Sequence, residues 1–158
     1  MTSLILLNNK EVMSEYDKYI EKKFVNYKCQ DSVMKYTVFQ ISRMIKYHQE
    51  YDINVDYADI LTVLESSSRS IFFSFKGSIN SLIAHIKQLF IYHNLYESNF
   101  PALITVFKSA QKTTLATYDV ILEEFDKILS EDADVIFAVQ NSNDFSVNEI
   151  EIRTLIAL

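Results

Sequence analysis

The sequence predicts an α+β domain: a mixed four-stranded sheet with two helices on one face, preceded by one long helix. Three observations lead there. From residue 68 onward the apolar periodicity runs strand, helix, strand, helix, strand, strand. Each of the two helical segments in that run carries one apolar stripe, as a one-sided helical layer requires. Ahead of the run, residues 31–50 form the longest helically periodic segment of the chain.

In order, SLILLNN (3–9) reads as a short buried strand ending in two turn-prone asparagines. Residues 10–24 place Val12, Tyr16, Tyr19, Ile20 and Phe24 at helical spacing. In 31–50, Val33, Met34, Val38, Ile41, Met44 and Ile45 form the stripe, with Asp31 or Ser32 as cap. Residues 57–67 make a short helix with Asp56 at its N-cap. A strand at 68–77 closes on Gly77, and a helix follows at 78–94, capped by Ser78 or Ser81. The strand at 101–110 follows Phe100, with the sole proline at its first position, where a missing N–H is tolerated. A helix at 115–132 buries Tyr118, Ile121, Leu122, Phe125, Ile128 and Leu129. Strands at 133–142 and 148–158 are joined by a polar turn.

Composition narrows the function. The 158 residues, 49% hydrophobic and 13% aromatic, suit one domain with a real core. A net charge of −6 argues against a nucleic-acid surface, because phosphate binding needs clustered cations. The densest basic patch, Lys22, Lys23 and Lys28, reads as a solvated face. A lone cysteine, Cys29, leaves no internal disulfide and no cysteine metal cluster. The opening residues lack a basic n-region, and no apolar stretch is long enough to span a membrane, so a cytoplasmic protein is expected. The single glycine, Gly77, is the most informative count. Phosphate-cradling loops need several glycines, because their N–H groups must approach the phosphates without Cβ atoms in the way. No nucleotide is therefore expected to bind this chain alone.

YDINVDYADILTV (51–63) gathers Asn54, Asp56 and Asp59 at the mouth of a helix. A cap and a first helical turn project toward the same end, so these groups share one corner. Taken by spacing alone, Asp56 is a helix cap and Asp59 a first-turn acid that complements the helix dipole. His48, His85 and His93 read as core or surface histidines; the last two lie two helical turns apart, too far to share a metal. Ser66, Ser67 and Ser68 have no nearby base. Phe72, Phe73 and Phe75 read as strand packing.

The run Asn54-Val55-Asp56-Tyr57-Ala58-Asp59 resembles the Asn-Val-Asp-Phe-Ala-Asp stretch that ends the central helix of FtsZ, the bacterial tubulin homologue and cell-division GTPase. The likeness continues in order: SLILLNN with the last strand of the GTPase domain, VFQISRMI with the central helix, PALITVF and LATYDVILEEFDKI with a strand and helix, and residues 132–158 with the closing hairpin. It covers nearly the whole chain but only the carboxyl half of an FtsZ. The glycine-rich half is absent, and Glu50-Tyr51 stands where the family has Pro-Gly. The resemblance implies two parts: 1–50, a remnant strand plus helices including the long central one, and 51–158, an FtsZ C-terminal-like domain with a synergy loop at 51–59. It implies that the loop enters the nucleotide pocket of the next subunit. There Asp56 and Asp59 would serve attacking water and cation, with Asn54 positioning them, so that GTP and magnesium are met only through a partner subunit. Asn26 and Asp31 are the candidates for guanine contact.

Three readings follow. The chain binds FtsZ-type subunits, or itself, through the loop face and acts in filament assembly, being no enzyme alone. It is one half of a split GTPase, with the strand at 3–9 awaiting another sheet. Or it is a scaffold that kept the fold and lost the partner.

Overall fold

The computed structural model describes residues 3–21, 41, 51–53 and 55–158. Its elements are β1 (Ser3–Asn8), α1 (Asn9–Glu21), β2 (Tyr51–Ile53), α2 (Tyr57–Glu65), β3 (Arg69–Ser78), α3 (Ile79–Tyr92), a 3₁₀ turn (Leu95–Glu97), β4 (Phe100–Ser109), α4 (Leu115–Asp126), β5 (Leu129–Asn141) and β6 (Glu149–Ala157). Of the long helix expected at 31–50, Ile41 alone is described; it is helical and fully buried.

The strands form one mixed sheet in the order β1-β3-β6-β4-β5-β2. The four strands read from the sequence are its contiguous centre. Two more edge them, so the sheet has six strands, not four. Its parallel pair is β4 with β5, joined by α4 as a parallel pair must be by a crossover; the other pairings are antiparallel. β1 pairs with β3, from Ser3 opposite Ser74 to Asn8 opposite Arg69. The strand at 3–9 is thus already seated in this chain's own sheet.

Alternation along the strands sends their side chains to two cores. On one face, Ile71, Phe73 and Phe75 of β3 pack with Leu82, Ile86 and Phe90 of α3 and with Tyr118, Ile121 and Phe125 of α4. Both helices lie on that face, as the sequence predicts. The opposite face carries Phe72, Ala102, Ile104, Ala138 and Leu155 under Val12 of α1, Ile60, Val63 and Leu64 of α2, and Ile41. The sheet is therefore covered on both sides.

Three local readings change. α4 ends at Asp126, not 132, and β5 begins at Leu129. Ile128 is fully buried and its carbonyl accepts the Phe100 N–H at 2.9 Å, so it enters the sheet while keeping the spacing of the helical stripe. Neither glycine nor proline marks the break. The start of β5 then bulges, with Leu129 opposite Phe100 but Asp134 opposite Ala102, leaving Glu131, Asp132 and Asp134 exposed. Gly77 does not close β3. It lies within the ladder opposite Ile150, and a Cβ there would stand 2.8 Å from the Phe75 ring. Its function is space for that ring, which leans on His85 at 5.4 Å between centroids.

Candidate functional site

The acidic corner is built by a turn of known chemistry. β2 delivers Val55 into the core at 4% exposure, and Asp56 follows with extended backbone, its side chain exposed. The Asp59 N–H donates to Asp56 Oδ1 at 3.0 Å, and the Asp56 N–H donates to Asp59 Oδ2 at 2.8 Å. This is a reciprocal capping box: each carboxylate satisfies an amide that the first helical turn leaves without a partner. Asp59 is half-buried. The arrangement holds two carboxylates side by side at the N-terminal end of α2. Each still has a second oxygen that can accept from water or face a cation. The cap and the chemistry are therefore compatible. Of the predicted trio, Asp56 and Asp59 come together; Asn54 lies outside the described residues, as do Asn26, Asp31, Cys29 and His48.

The far end of α2 is fixed by groups that sequence reading did not single out. The Asn9 side chain is 1% exposed, and its Nδ2 donates to the carbonyls of Leu64 at 3.0 Å and Ser67 at 2.8 Å. The Asn9 N–H donates to the Ser68 carbonyl at 3.0 Å. One asparagine thus holds carbonyls that the helix end leaves open. The neighbouring serines are structural too: Ser66 Oγ donates to the Val63 carbonyl at 2.7 Å and Ser67 Oγ to the Leu158 carbonyl.

A second charged cluster was also missed. Glu124, on α4, is 6% exposed. It receives a hydrogen bond from Lys127 at 2.7 Å, faces Lys87 of α3 at 3.6 Å, and accepts from Tyr96 at 3.5 Å. Burial pushes its carboxyl up, but the Lys127 hydrogen bond and the two lysine charges outweigh burial and hold it below the ordinary value. Tyr96 is raised, first by burial and then by the Glu124 charge. The available signal was a glutamate on the flank of the α4 stripe with a lysine three residues later. Lys87, 37 positions away, gave none. The cluster ties α3 to α4. His85 and His93 are not brought together with other metal-binding groups: among the described residues, no three of His, Cys, Asp and Glu converge. Among them, too, no helix is long and apolar enough to cross a membrane.

No family model and no curated protein matches the sequence. Solved structures match the fold. A tryptophan-to-tyrosine mutant of FtsZ from M. jannaschii is similar with a TM-score of 0.58 and 11% identity, over 79% of this chain and 39% of that one. An empty FtsZ dimer from M. jannaschii is similar with a TM-score of 0.58 and 14% identity, over 86% of this chain and 42% of that one. The chain therefore spans about two fifths of the length of these structures. At such identities the likeness is one of fold, and that fold is the mixed α+β architecture of the FtsZ C-terminal domain.

Proposed function

We propose that this chain is an FtsZ-like C-terminal-domain protein of cell division that binds FtsZ- or tubulin-type subunits through the face bearing Asp56 and Asp59. It acts on filament assembly and is no enzyme by itself. The observation that carries the reading is the reciprocally capped acidic corner at the start of α2, with Asp56 exposed and Asp59 half-buried, on a fold like that of the FtsZ C-terminal domain. A corner fixed by two backbone hydrogen bonds presents its carboxylates in one geometry, as a group acting on a neighbour's bound phosphate and water needs. GTP and magnesium would be met there only when held by a partner subunit.

These 158 residues carry the corner but a single glycine, so the purified polypeptide is expected to join a filament at one end and to offer the next subunit no nucleotide loop of its own. It should cap filaments at substoichiometric amounts. In the alternative reading, a split GTPase, the other half would have to join the outer edge of β1, because its inner edge is already paired with β3.

The test is FtsZ polymerisation followed by light scattering, with GTP turnover in parallel, against increasing amounts of the protein and of Asp59→Asn. The asparagine keeps an oxygen to accept the Asp56 N–H, so it removes charge and leaves the cap. Shortened filaments with both forms, and lower turnover with Asp59→Asn, are expected. Unchanged filaments at equimolar protein would leave the corner as a helix cap on a scaffold.

A further inference from the structure

The two edges of the sheet differ in how they are protected. β2 is three residues long and its pairing with β5 is irregular between Tyr51 and Ile53. Shortness and bulging are two ways by which proteins keep an edge from pairing further. β1 has neither. It is six residues, SLILLN, without charge, proline or glycine, and its register with β3 is unbroken. Among the described residues no strand pairs with its outer side.

The register identifies the free groups. The Asn9 N–H donates to the Ser68 carbonyl while Asn8 faces Arg69, so Asn8–Arg69 is a wide pair. Alternation then directs the N–H and C=O of Ser3, Ile5 and Leu7 inward to β3, and those of Leu4 and Leu6 outward. An antiparallel strand laid against this edge with its own Leu4 and Leu6 outward is a complete match. Leu4 pairs with Leu6 of the other copy and Leu6 with its Leu4, about a two-fold axis through Ile5. Each such pair exchanges two backbone hydrogen bonds. The edge is self-complementary and uncharged, so nothing in it repels a second copy.

An apolar step lies beside it. Leu6 stands opposite Ile71, whose side chain enters the core under α3, yet Leu6 is 51% exposed. β1 thus overhangs the helical layer. On α3, Lys87 reaches Glu124 of α4, so at 100° per residue the flank bearing His85, Leu89 and Tyr92 turns away from α4 and toward β1. That flank continues into the exposed outer side of α3 at Gln88 and Ile91, and Tyr92 is 84% exposed. A strand edge alone falls short of the ~1,000 Å² that a specific interface needs. Two tyrosines add roughly 300 Å². With β1 and its copy between them, β3 and its counterpart lie three strand spacings apart, about 14 Å. Helices of about 10 Å diameter over them leave a gap that Leu6 and Tyr92 of each copy can fill.

We propose that the outer edge of β1, with the Leu6–Leu89–Tyr92 step, is a docking edge for a second copy of this chain. The two copies pair β1 to β1 in antiparallel and form one continuous sheet. This edge lies across the sheet from the acidic corner, so the inference stands apart from the function assigned to that corner.

Sedimentation equilibrium on the purified chain, from micromolar to millimolar protein, tests it. A monomer–dimer equilibrium is expected. Leu6→Pro removes an outward N–H without touching the inner ladder, and should weaken the dimer roughly tenfold or more. Leu6→Lys, at a half-exposed position, should do the same by charge and decides the matter if the proline variant melts. Asp59→Asn should leave the dimer unchanged. A chain that stays monomeric throughout, a dimer insensitive to Leu6→Lys, or a dimer lost in Asp59→Asn would each overturn the proposal.

Discussion

On the α3/α4 face of the sheet the buried side chains are large: Phe73, Phe75, Phe90, Phe107 and Phe125, with Tyr118. On the α1/α2 face they are mostly small or aliphatic: Ala102, Ala138 and Ala157 on the strands, with Phe72 as the single buried phenylalanine. The first face fills a deep space between strands and two long helices. The second lets a nine-residue helix lie close on the strands, because alanine keeps little volume between backbone and backbone. The difference teaches where each face is vulnerable: one to loss of volume, the other to gain of it and to loss of the polar groups that pin α2.

The largest effect should come from Phe107→Ala. Phe107 is fully buried and stacks on Tyr118 at 5.1 Å, and Tyr118 in turn shares a 2.5 Å hydrogen bond with Ser109. Removing the ring should cost about 3–5 kcal/mol, measured by urea unfolding. A cost near that of a surface mutation would break the comparison. Across the sheet, Ala138→Leu should cost about 1–3 kcal/mol by overpacking, whereas a neutral result would mean that α2 rides higher than the fully buried Ala138 implies.

Asn9 should come next. Asn9→Leu removes two donors and leaves the Leu64 and Ser67 carbonyls without them, a cost of about 1–3 kcal/mol. Amide exchange should quicken in α2 more than in α3 if the asparagine pins that helix and not the whole domain.

These predictions bear on what was legible in the sequence. Period-2 runs with β-branched residues and single-striped helices gave away β3 to β6, α3 and α4, because each is a local pattern. The edges were not legible as part of the sheet. β2 is three residues long, and β1 is separated from its partner β3 by more than sixty residues, so nothing local says where either pairs. The end of α4 was misplaced because Ile128 and Leu129 keep helical spacing after the helix has stopped. Of the corner, the cap at Asp56 was readable from residue type and position. Its reciprocal bond to Asp59 was not, since the spacing fits a dipole-complementing acid equally well. Asn9 and Glu124 escaped notice because their partners, Leu64, Ser67 and Lys87, are remote in sequence.

The corner itself should respond by roughly 1 kcal/mol. Asp56→Ala removes the acceptor of the Asp59 N–H and should lower stability by about that amount, while Asp56→Asn should be close to neutral. Equal losses in both would show that charge, and not the hydrogen bond, holds the α2 start.

The smallest expected effect is at Glu124, and its sign is fixed by pH. The folded carboxyl lies below its ordinary 4.5, because Lys127 and Lys87 outweigh burial. A depressed folded value means that the unfolded chain binds the proton first as pH falls. The contribution is therefore present above the ordinary value and is lost as pH drops through the folded one. Glu124→Gln keeps an oxygen for Lys127 and removes the charge. The lysines it faces are half-exposed and turn to water, and burying the carboxylate had its own cost, so the change at neutral pH should be about 1 kcal/mol or less. Urea midpoints of both forms between neutral pH and pH 3 should converge on the acid side. Divergence toward acid would mean that burial dominates at Glu124 and that the α3–α4 face is tied by packing alone.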